Sequence, residues 1–248
     1  IRDRSPSRGL GDVYKRQVAR QSLSVGVATG AYGLSFGALS VAAGLDLWQT
    51  QALSALLFTG GSQFAVVGIL GAGGLGSTAV ATSSLLGIRN GLYGLELSRE
   101  LGFHGWRRVA AAHLTIDEST AVAMAQSGRG DARRGFWLTG VAVFVFWNLM
   151  TLAGALVGNT LGDPRTWGLD AAAAGAFCAL LWPRLRRREA QATAVIAVVL
   201  TLVAMPHTPA GVPVLVAALA AAVVAAANTS SSKAVNASRC ARLASTVA

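Results

Sequence analysis

Three short stretches hold the side chains that could do chemistry in an otherwise apolar chain. In "IRNGLYGLEL", residues 88–97, Arg89 follows a run of 42 uncharged residues that begins at Leu47. A charged side chain at mid-bilayer costs about 2.5–3.5 kcal/mol on insertion scales, so it must be paired, sit near an interface or face a cavity. On a helix, Tyr93 and Glu96 share the face of Arg89, and Asn90 adjoins it. One reading has the guanidinium fork gripping a carboxylate at two points, which Arg does better than Lys. The other has it snorkelling to an interface, assisted by Glu96.

In "AAAHLTIDESTAVAMA", residues 110–125, Asp117 and Glu118 interrupt a second apolar stretch, with His113 four positions before Asp117. As an intramembrane pair they suit a proton carrier or the partner of a cation; on an interfacial helix they would simply meet water. His113 and Asp117 are too few ligands for a metal site, and none is expected. In "FTGGSQF", residues 58–64, Gly60 and Gly61 fall in mid-span ahead of Ser62 and Gln63. A broken helix there exposes backbone N–H and C=O groups to a solute; a plain kink with Gln63 bridging two helices is the alternative. Gly60, Gly61, Ser62, Gln63, Arg89, Asn90, Tyr93, Asp117 and Glu118 together form the candidate substrate site. They suit an amino acid: a guanidinium for its carboxylate, acids or carbonyls for its ammonium, and an apolar wall.

Long apolar segments must position these groups. Of 248 residues 53% are apolar and 13% charged, a profile of membrane proteins. A span needs about 20 apolar residues. Ser22 to Gly44 supplies one, Leu47 to Ile88 two with a break in the glycine-rich 71–77, and Gly135 to Gly162 another. Thr166 to Pro183 is a shorter candidate, and Ala190 to Ser232 reads as two short or discontinuous helices around the three prolines of 205–213. The expected fold is an all-α integral membrane protein, a polytopic bundle of about seven or eight segments, some short or discontinuous. Residues 1–17 read as a non-native or disordered leader, 18–227 as a transmembrane transporter domain, and 228–248 as a disordered tail. Gly26 and Gly30, Gly33 and Gly37, and Gly87 and Gly91 have the spacing that lets membrane helices approach closely.

The net charge of +10 is misleading, because leader and tail carry +3 each and the rest sits in loops. No basic stripe is left for nucleic acid. Arginines of short loops mark the cytoplasmic side, which puts 184–189, 129–134 and the N-terminus inside. With 109–126 as a full span, Arg99, Arg107 and Arg108 fall outside, against the rule; a re-entrant segment there would remove the conflict. Cys178 and Cys240 lack metal or redox spacing. The chain has three histidines, no Gly-x-Ser-x-Gly and no nucleotide-binding loop, so neither an enzyme nor a cofactor is expected.

The ordered set "GLSFGALSVAAGL" (33–45), "FTGGSQFAVVGIL" (58–70), "IRNGLYGLEL" (88–97) and "LTIDEST" (114–120) resembles the AzlC family of bacterial branched-chain amino acid permeases, over roughly residues 20–225. That resemblance implies export of valine, leucine and isoleucine across the inner membrane by a multi-pass protein, together with a small AzlD-like membrane subunit. It places the functional positions on Gly60, Gly61, Ser62, Gln63, Arg89, Asp117 and Glu118. A secondary, proton-coupled transporter is the leading expectation, with Asp117 or Glu118 carrying the proton and Arg89 holding the substrate carboxylate. The alternative is a structural or assembly subunit whose charges serve only as interhelical pairs.

Overall fold

The computed structural model describes residues 6–161, 168, 171, 175, 178, 181–186, 188–221 and 223–224. No strand occurs among them, and the chain divides into two compact units, 1–176 and 177–248. The first unit contains α1 (Pro6–Ala42), α2 (Leu47–Leu56), α3 (Gly60–Gly71), α4 (Gly76–Leu101), α5 (Trp106–His113), α6 (Asp117–Met124) and α7 (Arg129–Leu161). Val13–Ala42, Arg129–Gly158 and, in the second unit, Arg188–His207 are long and apolar enough to cross a membrane. These three support the helical membrane class; a count of seven or eight segments goes beyond them. Residues 6–17, read as a leader, belong to α1, and the Tyr14 hydroxyl donates to Gln126 Oε1 at 2.8 Å.

The backbone of the unit is the pairing of α1 with α7, which run parallel. Ser22 meets Thr139 (2.9 Å between hydroxyls), Gly26 faces Ala142, Gly30 faces Phe146, and Gly37 faces Thr151. A β-carbon on Gly33 would come within 2.6 Å of the Trp147 carbonyl, and one on Gly154 of α7 would lie closer still to the Leu34 carbonyl. Glycine is required here because the two backbones touch. The third expected pair behaves differently: a β-carbon on Gly87 would meet only Ser62 Oγ at 3.8 Å, and Gly91 borders open space.

Two helical hairpins enter this frame from opposite ends. The first is α2–α3, which starts and finishes at the C-terminal end of α1: Gly71 lies against Ala43, and Leu45 and Gln49 share a cleft with Val66 and Leu70. An Asp46 cap starts α2, its carboxylate accepting from Gln49 N at 2.8 Å while Gln49 Oε1 accepts from Asp46 N. At its tip, residues 57–59 leave the helix, and Gln63 Nε2 donates to the carbonyls of Leu53 and Ser54, both at 3.1 Å. The break therefore precedes the glycine pair, which lies in the first turn of α3.

The second hairpin is α5–α6, based at the N-terminal end of α7. Arg133 Nε donates to Leu101 O at 2.6 Å, fixing the end of α4 there, while Val122 lies against Gly135 and Leu114 against Gly140. The chain thus goes in along α5 and returns along α6. Residues 109–126 are accordingly not one span: 114–116 are non-helical, and His113 and Asp117 lie on different helices, which removes their shared face. Ser119 maintains the break, accepting from Ile116 N at 3.1 Å and donating to Leu114 O at 2.7 Å. Both flanks of the segment lie at one end, as the arginine distribution required of a re-entrant segment.

Between the hairpins α4 runs antiparallel to α1, from beside Gly71 to beside Arg133. Helix plus hairpin therefore occurs twice, the second copy inverted. The sequence keeps the register: Gly30, Phe36, Gly37 and Ser62 are followed 57 positions later by Gly87, Tyr93, Gly94 and Ser119. The tips 57–59 and 114–116 obey the same offset.

The second unit holds a 3₁₀ turn (Trp182–Arg186), α8 (Arg188–Ala204), a further 3₁₀ turn (Met205–His207) and α9 (Val212–Ala221). The prolines of 205–213 separate α8 from α9, as their missing N–H groups dictate. Most of the expected 166–183 segment and all of the 228–248 tail lie outside the described residues.

Candidate functional site

Arg89 stands at the midpoint of the 26-residue α4, and its Nη1 lies 2.9 Å from Asp117 Oδ2 at the opening of α6. Neither side chain is sealed: Arg89 is 35% and Asp117 23% exposed. Arg89 therefore pairs with the tip of the second hairpin and not with Glu96, which is exposed. Glu118 adjoins Asp117, lies within electrostatic reach of Arg89 and takes a hydrogen bond from the Thr29 hydroxyl of α1. Three elements that are remote in sequence thus meet at one acid–base cluster.

The cluster is only half satisfied. Arg89 Nε, Asp117 Oδ1, Asn90 Oδ1 and Thr120 Oγ1 are buried atoms without a hydrogen-bond partner among the described residues. Native interiors leave few such groups, so four on two adjoining helices require a reason. The ion pair uses one guanidinium nitrogen and one carboxylate oxygen, and a second anion or cation could engage the rest.

The other hairpin tip closes on the same region. Phe58 lies 5.9 Å from the His113 ring and 5.0 Å from Phe144, and His113 lies 5.7 Å from Phe144, so one aromatic cluster joins the two breaks. Ser62 Oγ donates to Ser83 O at 2.8 Å and borders Gly87, two positions before Arg89. Gly60 packs on the Trp147 indole, which stacks at 6.0 Å on Phe36 and meets Phe64 edge-on. The N–H groups of Gly60, Gly61 and Ser62 open α3 and have no acceptor within the helix.

The structure thus brings together Arg89, Asp117 and Glu118, places Asn90 beside them, and sets Gly60, Gly61 and Ser62 on the facing tip. Gln63 is fully buried and spends its amide N–H groups on the α2 carbonyls, so its first task is to hold the break. Tyr93 is half-buried one turn beyond Arg89. Thr29, Phe58, Phe144 and Trp147 are additions that charge and glycine patterns did not mark, and the 57-residue offset that pairs the two tips becomes visible only with the three-dimensional register. No group of three or more potential metal ligands occurs among the described residues.

A family model described as AzlC protein matches residues 24–161, which contain every residue of this cluster. No curated protein and no solved structure matches the chain.

Proposed function

The chain belongs to the AzlC family, a family associated with branched-chain amino acid transport, and on that premise we propose a secondary transporter that exports valine, leucine or isoleucine across the bacterial inner membrane. The observation that carries this reading is the half-satisfied Arg89–Asp117 pair at the meeting point of two opposed hairpins. Hairpin arms of 8 to 12 residues are about 12–18 Å long, half of a hydrocarbon core roughly 30 Å thick. The tips then lie near the midplane, where transporters built from inverted repeats hold their substrates.

With both acids ionised the cluster carries one negative charge in excess, a costly condition at that depth. A substrate ammonium or a proton can offset that excess, and the two compete for the same acids, while the guanidinium nitrogens left free by Asp117 hold the substrate carboxylate. Proton uptake therefore releases the ammonium and with it the substrate. Because proton and substrate exclude each other at one cluster, an inward proton gradient drives the substrate outward. The apolar side chain packs against the aromatic groups around Phe58 and Trp147. A small membrane subunit completes the exporter.

Efflux of preloaded labelled valine from cells lacking their own exporters tests this directly, with the chain expressed alone and with a small partner. Efflux that requires the partner and disappears in Arg89→Ala, at unchanged membrane abundance, is the expected result. Full efflux in Arg89→Ala refutes the reading. The same ion pair could belong to an assembly subunit, and loss of the complex with substrate binding intact would favour that role.

A further inference from the structure

At the base of the second hairpin the ends of α4, α5 and α7 enclose a cleft of about 680 Å³. Arg107, Arg133, Arg134, His104, Trp106 and Trp137 line it, and no acidic residue does. Arg133 is committed: besides Leu101 O, it donates through Nη2 to Gly102 O at 3.3 Å and lies 5.5 Å from the centre of the Phe103 ring. Arg107 rests 6.0 Å from the centre of the Trp106 ring, and neither it nor Arg134 pairs with an acid among the described residues. Two uncommitted guanidinium groups therefore face one space from two different helices.

The inverted repeat supplies an internal control. At the 57-residue offset the first copy has Thr50 and Ser77 where the second has Arg107 and Arg134, and the cleft of about 510 Å³ along its hairpin is lined by Leu45, Leu53, Leu56, Val66 and other apolar residues with Gln49. A hairpin base in this fold therefore does not need arginines at these two positions to hold its shape, which leaves Arg107 and Arg134 available to a ligand.

We propose that this cleft binds the phosphate of an anionic phospholipid head group. Its chemistry is that of a phosphodiester site: guanidinium groups match phosphate oxygens in paired hydrogen bonds, and basic pockets between membrane helices hold anionic head groups. A lipid is favoured over a free anion by the surroundings. Trp106, 75% exposed, stands at the rim, and tryptophan settles at the head-group level of a bilayer. A bound phosphate joins Arg107 on α5 to Arg134 on α7 and so ties down the hairpin that carries Asp117 and Glu118. This site requires a membrane location and the placement of the helix ends, and it does not depend on which solute is carried.

The full-length protein, purified in a neutral detergent, is to be titrated with phosphatidylglycerol, phosphatidylcholine or inorganic phosphate, with bound lipid read by native mass spectrometry and bound phosphate by calorimetry. Phosphatidylglycerol is expected to be retained in preference to phosphatidylcholine, and Arg107→Gln/Arg134→Gln is expected to weaken that retention about tenfold or more. Arg133 is left intact because it fixes the end of α4, and circular dichroism confirms that the double variant is folded. Equal retention of the two lipids overturns the proposal, as does undiminished phosphatidylglycerol binding by the folded double variant. Inorganic phosphate binding more tightly than the lipid overturns it in favour of a soluble anion. Valine efflux is not read, so failure here is distinguishable from failure of the transport assignment.

Discussion

Arg89 has acids available on its own helix and on the facing hairpin, and it takes the one on the hairpin. That choice makes the pair responsive, because Asp117 sits at a helix break while Glu96 sits on a continuous helix. Asp117→Asn is expected to separate two steps: efflux against a gradient falls on the order of tenfold or more, while exchange of labelled for unlabelled valine continues. Loss of exchange as well would show that the carboxylate is needed to assemble the site. Gln63 is expected to act through stability. Gln63→Leu strips two carbonyls of their donor and should cost about 1–3 kcal/mol, measured as a lower unfolding temperature in detergent. The charged members of the cluster were legible in sequence because permanent charge inside apolar runs is expensive. Thr29 was not, because a lone threonine on an apolar helix looks the same whether or not it faces a carboxylate 89 positions away.

At the level of the helices, glycine spacing alone proved ambiguous. Gly33 and Gly37 are required by contact with the α7 backbone, whereas Gly91 has the same spacing from Gly87 and faces open space. Gly33→Leu is expected to destabilise the protein by at least about 1–3 kcal/mol through overpacking, and Gly91→Leu to leave the melting temperature nearly unchanged. Comparable losses in both would mean that α4 packs more closely than the structure shows. Of the breaks, those at 71–77 and 205–213 were plain in sequence, the first because its glycines allow a turn, with Gly73 at φ 73°, the second because its prolines lack the N–H a helix needs. The break at 114–116 contains no Gly or Pro; it exists because Ser119 and Thr115 redirect backbone hydrogen bonds to their hydroxyls. Periodicity cannot register such a break, which is why 109–126 reads as a single span.

For residues 1–176 as a whole, the paired hairpins fix a topology that accessibility can test. Cysteines introduced at His104 and Ser127, with Cys178 and Cys240 replaced, are expected to react with an impermeant maleimide from one side of the membrane, and a cysteine at Ala72 from the other. Reaction of positions 104 and 127 from opposite sides would restore a full span and dismantle the second hairpin. The helical class was evident from composition. The inversion was not, because Gly30, Phe36, Gly37 and Ser62 match their counterparts at few enough positions that only three-dimensional register makes the offset visible.

The inverted copies differ in the loop that joins each long helix to its hairpin. In the first copy residues 43–46 carry one charge, Asp46; in the second, Arg99, Arg107 and Arg108 flank the corresponding turn. Since arginines retain a loop on the cytoplasmic face, a handful of side chains suffices to tell two similar units to insert opposite ways up. Orientation is in this sense a detachable property of the unit.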